Sequence, residues 1–176
     1  MSKLEQFRKE KDEFFRQSPQ SPLLPEQQAS FTGLSYFPEN PELRLSVEVN
    51  RFPEEQEVKI QTNTGDVQTY RRYGRFKFEV EGQPAELTIF ENENGYFLPF
   101  ADSLAGQETY GAGRYLEPER LADGRFEVDF NQAYNPYCAY NERWSCPIPP
   151  PENRLKLPIQ AGEKTFVAHD ETQVRD

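Results

Sequence analysis

The stretch Leu43-Arg44-Leu45-Ser46-Val47-Glu48-Val49-Asn50 alternates apolar and polar side chains, which is the period of a β-strand with one buried face. The same alternation recurs at residues 58–61, 75–80, 87–89, 126–131 and 155–159. Short turn signals separate most of these runs: Asn63-Thr64-Gly65-Asp66, Glu81-Gly82, Asn92-Glu93-Asn94-Gly95 and Asp123-Gly124. Such turns suit antiparallel hairpins and leave no space for crossover helices, so the sequence predicts a mainly β, antiparallel fold.

The number of strands limits the possible architectures. About eight to ten short strands must protect their edges, either by closing into a barrel or by stacking as a sandwich. We expect a barrel-like arrangement, with a sandwich as the alternative. The 176 residues suffice for a single domain. We divide it into an N-terminal helix at 1–17, a β body at 30–167 and a mobile polar tail at 168–176.

The N-terminal segment has a different period. Residues 3–17 place Leu4, Phe7, Phe14 and Phe15 along one helical stripe, with charged side chains elsewhere. A proline-rich segment follows and ends the helix. We therefore expect an amphipathic helix that caps or crosses the β body through its aromatic stripe. A partner-binding or membrane-surface helix is the alternative, and the mixed charges argue against a membrane.

The charge of the chain limits its partners and location. Thirty acidic residues against 20 basic ones give a net charge of −10, which repels phosphates and anionic lipids. No apolar run approaches the roughly 20 residues of a membrane span, and Met1 leads into charged residues without a signal-peptide pattern. We expect a cytoplasmic protein with no nucleic-acid and no membrane partner. The sequence leaves the oligomeric state open.

Aromatic, glycine and uncharged polar residues are concentrated between residues 96 and 153, in sequence typical of loops, where binding and catalytic groups often lie. Three blocks stand out within or beside this region: Glu108–Tyr115, Asp129–Ala139 and Cys146–Leu155. These blocks resemble the signature of a widespread prokaryotic family, the domain of unknown function DUF1684. The resemblance extends from the helix with Phe14 and Phe15 to Ala161-Gly162-Glu163, and it implies no particular activity.

Three carboxylates in or near these blocks are candidate catalytic groups: Asp102, Glu108 and Asp129. Two carboxylates of different pKa could serve as acid and base, and Arg114 could bind a carboxylate or phosphate in bidentate fashion. The alternative is structural. In that case Glu108 and Arg114 form a buried ion pair, while Asp129 and Asn131 hold loops through hydrogen bonds to the backbone.

Gly111-Ala112-Gly113-Arg114 could bring main-chain amides close to an anion. The motif lacks the Gly-Lys-Ser/Thr ending of a phosphate loop and the strand-to-helix context of a dinucleotide fingerprint. We therefore interpret it as a tight turn or bulge that enters a strand.

The two cysteines, Cys138 and Cys146, are too few for a zinc site when His169 is the only histidine. We expect no metal and no cofactor. In a reducing compartment the two thiols are structural by default, and a disulfide or redox chemistry are the alternatives. Redox chemistry would require a lowered thiol pKa.

Four aromatic residues lie close together in the sequence, Tyr134, Tyr137, Tyr140 and Trp144, interleaved with asparagines. Rings provide flat apolar walls, while phenol and amide groups orient a ligand. This composition is typical of a pocket lining. The alternative is that the rings plug one end of a barrel and the asparagines satisfy turn backbones.

Our leading hypothesis is a binding module for a small polar or anionic molecule. The candidate ligand-binding residues are Tyr110, Arg114, Asn131, Tyr134, Asn135, Cys138, Tyr140 and Trp144. The second hypothesis is a cofactor-free hydrolase or isomerase that uses the three carboxylates with tyrosine and Arg114. The third is a structural or interaction protein without a ligand, whose aromatic residues fill the core.

Overall fold

Eight antiparallel strands and two helices lie within residues 2–166, the part of the chain that this computed structural model describes. The helices are α1 (Lys3–Gln17) and α2 (Pro25–Ala29), and the strands are β1 (Arg44–Val47), β2 (Asn50–Gln61), β3 (Val67–Val80), β4 (Gln83–Asn92), β5 (Gly95–Phe100), β6 (Arg114–Leu116), β7 (Glu119–Arg120) and β8 (Phe126–Asp129). Short 3-10 turns cover Pro41–Leu43, Phe130–Gln132, Tyr137–Ala139 and Pro151–Asn153. The tail at 168–176 lies outside the described residues, and the single-domain division stays a prediction.

The strands form two antiparallel sheets, one ordered β2-β3-β4-β5-β6 and the other β1-β8-β7. The mainly β, antiparallel prediction is confirmed, but the barrel-like expectation is wrong, because the sheets are not closed and a sandwich fits. The two edges of the five-stranded sheet are protected although the sheet does not close into a barrel. Edge strand β2 carries Pro53 beside Glu54 and Glu55. At the opposite edge, Tyr115 of β6 exchanges main-chain hydrogen bonds of 2.8 and 3.1 Å with Tyr134.

The main hydrophobic core contains the inward side chains of both sheets. On β3 the alternation predicted from the sequence buries Phe76 and Phe78, and β8 contributes Phe126 and Val128. Phe78 stacks on Phe130 with ring centroids 5.4 Å apart. Each large apolar side chain buried in this way contributes about 1.5–3 kcal/mol to stability, which makes this core the main stabilising element of the fold.

The predicted turns lie between the predicted strands. Glu81 and Gly82 join β3 to β4 with φ angles of 51° and 80°, the left-handed pair that a two-residue hairpin requires. The glycine motif also behaves as a turn. Gly113 has φ of 97°, and a Cβ there would lie 2.6 Å from the Phe100 carbonyl oxygen. Arg114 then starts β6, so the interpretation of this motif as a turn entering a strand is confirmed.

The strand predicted at residues 155–159 is not formed as a member of either sheet. The chain bends at Lys156 and Leu157. Before and at the bend it makes two main-chain hydrogen bonds with the residues that follow β5: the Leu155 N–H donates to the Ala101 carbonyl at 2.7 Å, and the Leu157 carbonyl accepts from the Ser103 N–H at 3.1 Å. Pro158 then interrupts any ladder because it has no N–H. Ile159 is fully buried, so the apolar alternation correctly marks a core residue, although neither of the two described sheets includes it.

Helix α1 begins at a capping box formed by Ser2 and Glu5 and ends at Ser18. The aromatic stripe of α1 has a buried part and an exposed part. Phe15 is 1% exposed and packs edge-on against Tyr140, with ring centroids 5.0 Å apart. Phe7 and Phe14, by contrast, remain 41% and 38% exposed. The helix therefore crosses the body but leaves part of its apolar face uncovered.

The polar side chains of α1 also fasten it to the body. Arg8 donates to the Phe37 carbonyl at 3.2 Å, and Asp12 accepts from the Leu34 amide at 3.1 Å. Lys11 pairs with the buried carboxylate of Glu163. Among residues 2–166 no helix is long and apolar enough to cross a membrane.

Candidate functional site

A cavity of about 700 Å3 opens between α1 and the body, and we call it the aromatic cavity. Its walls are formed by Phe7, Glu10, Lys11, Phe14 and Phe15 of α1 and by Tyr115, Glu117, Tyr134, Pro136, Tyr137, Trp144, Ser145, Cys146 and Pro147 of the body. Small-molecule pockets typically have volumes of about 300–1,000 Å3 and mostly apolar or aromatic walls. In size and composition the aromatic cavity is of this kind.

The polar ends of the wall rings bond to the protein. Tyr134 donates its hydroxyl hydrogen to Glu117 at 2.6 Å, and the Trp144 indole N–H lies 3.4 Å from the Pro22 carbonyl oxygen. Tyr137 lies edge-on to Trp144, with ring centroids 5.1 Å apart. Because these partners fix the rings, the walls are preorganised and their apolar surfaces can contact a ligand.

Glu163 anchors the inner side of this region. Its side chain is 2% exposed, and it accepts hydrogen bonds of 3.0 Å from the Asn135 amide and the Tyr140 hydroxyl. Burial, followed by the negative charge of Glu163, raises the pKa of Tyr140 well above its ordinary value, so this phenol stays protonated and donates. Lys11 neutralises the same carboxylate and lies 4.9 Å from the centroid of the Tyr134 ring.

A second cavity of about 310 Å3 adjoins the aromatic cavity. The two share four wall residues: Tyr115, Glu117, Tyr134 and Pro147. The second cavity adds Tyr70 and Phe97, which stack with ring centroids 5.3 Å apart, together with polar groups of the β4–β5 turn. An elongated molecule could therefore extend from the aromatic cavity along the edge of the five-stranded sheet.

Arg114 lies inside the protein rather than on a cavity wall. Its guanidinium donates to the carbonyls of Ala161 at 2.5 Å, Ile159 at 2.9 Å and Glu163 at 3.0 Å. Asp102 lies 3.6 Å from the same group. Burial lowers the pKa of Arg114 to about 10, against the opposing charges of Asp102 and Glu163, so the side chain stays cationic at neutral pH.

The other two candidate carboxylates lie elsewhere. Glu108 is half exposed and pairs with Lys164 at 3.8 Å, so the expected Glu108–Arg114 ion pair is wrong. The spacing of the two residues in sequence does not determine which carboxylate reaches the guanidinium in the fold. Asp129 accepts from the main-chain and side-chain nitrogens of Asn131 at 3.0 and 2.9 Å, which matches the predicted loop-holding role.

Cys138 and Cys146 are both free thiols beside the aromatic cavity. The main-chain N–H of Cys138 donates to Cys146 Sγ at 3.4 Å, and the Tyr110 hydroxyl lies 3.7 Å from Cys138 Sγ. A hydrogen bond from the Cys146 thiol is the main cause that lowers the pKa of Cys138 to about 7, and the same bond raises the pKa of Cys146.

Within residues 2–166 no group of three or more histidine, cysteine or acidic side chains could hold a metal ion. His169 lies outside the described residues.

Comparison with known proteins gives the family. The family model described as "Protein of unknown function (DUF1684)" matches residues 29–164, a range that contains all eight described strands. The chain belongs to the DUF1684 family.

A solved structure supports the same assignment for this DUF1684 protein. The solution NMR structure of an uncharacterized protein of Haloarcula marismortui is 38% identical, covers 94% of each chain and superposes with a TM-score of 0.70. No curated protein matches the chain. The match therefore supports the fold and the family.

Of the predicted ligand-binding residues of this DUF1684 protein, Tyr134 and Trp144 line the aromatic cavity. The others lie behind its wall or elsewhere in the body: Tyr110, Arg114, Asn131, Asn135, Cys138 and Tyr140. Sequence reasoning missed the contribution of α1, because Phe7 and Phe14 were assigned to packing. The sequence did contain a signal for this contribution, because the aromatic stripe runs along a helix of 15 residues and one contact with the body could not bury all of its rings.

Proposed function

We propose that this DUF1684 protein binds a small organic molecule in the aromatic cavity. The observation that carries the proposal is the pair of exposed phenyl rings on α1, which face a wall of fixed aromatic rings across about 700 Å3. Large apolar side chains left accessible beside an ordered wall are typical of a binding surface rather than of a filled core. This favours a binding module over a structural protein without a ligand.

The wall chemistry also indicates the class of ligand. Among the wall residues Lys11 is the one positively charged side chain, and it already pairs with the carboxylate of Glu163. Glu10 and Glu117 add two carboxylates. An anion would therefore gain little here and would be repelled by the wall. From the sequence we expected a polar or anionic ligand, whereas these walls favour an uncharged molecule with an apolar, preferably aromatic body.

The enzyme hypothesis has weaker support. Asp102, Glu108 and Asp129 are not wall residues of the aromatic cavity, and each is engaged with a different partner. General acid–base catalysis requires such groups within hydrogen-bond reach of one substrate position. We further propose that the protein is cytoplasmic and binds no nucleic acid; the net charge of −10, which repels phosphates, supports the second of these proposals.

The test is titration with N-phenylnaphthylamine, a neutral aromatic probe, and with anilinonaphthalene sulfonate, its anionic counterpart. Trp144 is the only tryptophan and lines the aromatic cavity, so energy transfer from it to the bound naphthyl group reports binding at this place. We expect saturable binding of the neutral probe and a weaker affinity for the sulfonate. Tighter binding of the sulfonate would contradict the proposed ligand class, and no saturable binding of either probe would contradict the binding function.

Variants locate the binding. Phe7→Ser combined with Phe14→Ser removes apolar wall from α1, and we expect an affinity about tenfold lower, equivalent to about 1.4 kcal/mol. Val67→Ser is the matched control, because Val67 is 56% exposed on β3 and is not a wall residue. Equal losses in the double variant and in the control would mean that the probe binds elsewhere.

A further inference from the structure

Cys138 and Cys146 are placed as a reactive pair. Eight positions apart in sequence, they meet where the 3-10 turn Tyr137–Ala139 approaches the segment that follows Trp144. Cys138 is partly exposed, and Cys146 forms part of the wall of the aromatic cavity. Both sulfurs are therefore adjacent to space that a small reagent can enter.

The environment assigns different roles to the two thiols. The Tyr110 hydroxyl lies 3.7 Å from Cys138 Sγ, and the Cys138 N–H lies 3.4 Å from Cys146 Sγ. Hydrogen bonding from these two neighbours, Cys146 first, lowers the pKa of Cys138 and favours its thiolate. Burial, then the bond to Cys138, raises the pKa of Tyr110, so the phenol keeps its proton and can donate. The pKa of Cys146 is raised as well, so its sulfur remains a thiol. Cys138 is the nucleophile of the pair, and Cys146 is the neighbouring thiol that can resolve its oxidised form.

From this arrangement we propose that Cys138 and Cys146 form a site for reversible oxidation by hydroperoxides, with a Cys138–Cys146 disulfide as the product. This proposal does not depend on a ligand in the aromatic cavity. It adds a reactive function to thiols for which the sequence favoured a structural role.

Oxidation to the disulfide takes two steps. The Cys138 thiolate attacks the terminal oxygen of the hydroperoxide, an S–O bond forms, the O–O bond breaks, and the alkoxide or hydroxide leaving group takes a proton from solvent. Sulfur loses two electrons, and the peroxide is reduced. Cys138 is then uncharged, so the main cause that held the proton on Cys146 is gone. Cys146 gives its proton to solvent and its thiolate attacks the sulfur of the Cys138 sulfenic acid; an S–S bond forms, the S–O bond breaks, and the hydroxide takes up a proton and leaves as water. A small-molecule dithiol restores the two thiols by exchange and is itself oxidised.

The first experiment uses the unaltered chain. Hydrogen peroxide is added in slight molar excess, remaining thiols are alkylated, and the intact mass is measured. We expect both thiols to be lost together, with a monomer two hydrogens lighter that dithiothreitol reverts. At pH 7 we expect the folded chain to react about tenfold faster than the chain in urea, because a larger fraction of Cys138 is thiolate. Equal rates, or two thiols that remain alkylatable, would overturn the proposal.

Variants assign the order of the two cysteines. In Cys146→Ser we expect a sulfenic acid at Cys138 that dimedone traps, whereas Cys138→Ser yields no dimedone adduct on Cys146. The wild-type chain should also bind phenylarsine oxide in equal molar amount, which requires two thiols within reach of one arsenic atom and needs no variant to fold. Intermolecular disulfides as the main product, or failure to bind the arsenical, would show that the thiols do not act as a pair.

Discussion

Replacement of Arg114 by methionine should strongly destabilise the protein. Arg114 is 1% exposed, donates to three main-chain carbonyls and lies 3.6 Å from Asp102. Methionine can fill most of the space but leaves these carbonyls and the Asp102 charge without their partner. Removal of one member of a buried ion pair costs about 3–5 kcal/mol, and we expect about 4 kcal/mol for Arg114→Met. For a domain of this size, the melting temperature should fall by about 8–16 °C.

Urea unfolding followed by Trp144 fluorescence measures this loss. Glu108→Gln is the matched control, since Glu108 is half exposed with Lys164 at 3.8 Å, and we expect a change within about 0.5 kcal/mol. In the double variant Arg114→Met/Asp102→Asn the loss should be smaller than the sum of the single losses by about 1–3 kcal/mol. An Arg114→Met protein destabilised by less than about 1 kcal/mol would refute the structural role of Arg114.

Three further predictions concern other parts of the fold. Asn153 is fully buried and makes hydrogen bonds of 2.8–2.9 Å with the main chains of β4 and β5, so Asn153→Ala should cost about 2–4 kcal/mol in thermal unfolding. Burial raises the pKa of Glu152, but hydrogen bonds from Arg72 and other partners outweigh burial, so the pKa lies below its ordinary value of 4.5. The Glu152 carboxylate therefore stabilises the fold above that pH, and in urea titrations the stability advantage of the wild-type chain over Glu152→Gln should shrink as the pH falls from 6 to 3. Gly113→Ala and Gly65→Ala both place alanine at positive φ, but only at Gly113 does the new Cβ meet a carbonyl, at 2.6 Å, so its melting temperature should fall further; equal losses would contradict this account.

The local features of this chain follow from neighbours in sequence. Alternation along residues 75–80 predicts a strand whatever lies beside it, because side chains point to opposite faces at every step. The pair Glu81-Gly82 predicts the hairpin because the turn geometry depends on those two residues. The aromatic and charged pattern of residues 3–17 likewise predicts α1.

The sequence is less informative where residues distant in the chain compete for the same partner. The choice between barrel and sandwich depends on which edge strands meet, and the alternation is the same in both. Both Asp102 and Glu108 lie near Arg114 in sequence, and only the fold brings Asp102 to the guanidinium. Residues 155–159 have the pattern of a strand, but the chain bends at 156–157 and neither described sheet includes them.

The candidate site shows the same division. Composition alone identified Tyr134 and Trp144 as wall residues and drew attention to the two cysteines. The pattern of residues 3–17 predicted a helix that caps or crosses the body. It did not show that Phe7 and Phe14 of this helix face those rings, or that Cys138 meets Cys146 beside Tyr110. The sequence by itself determined α1, the β3–β4 hairpin and the supply of chemical groups, since these depend on local residue identity. Only the tertiary structure decided which groups meet, because that depends on packing between segments far apart in the chain.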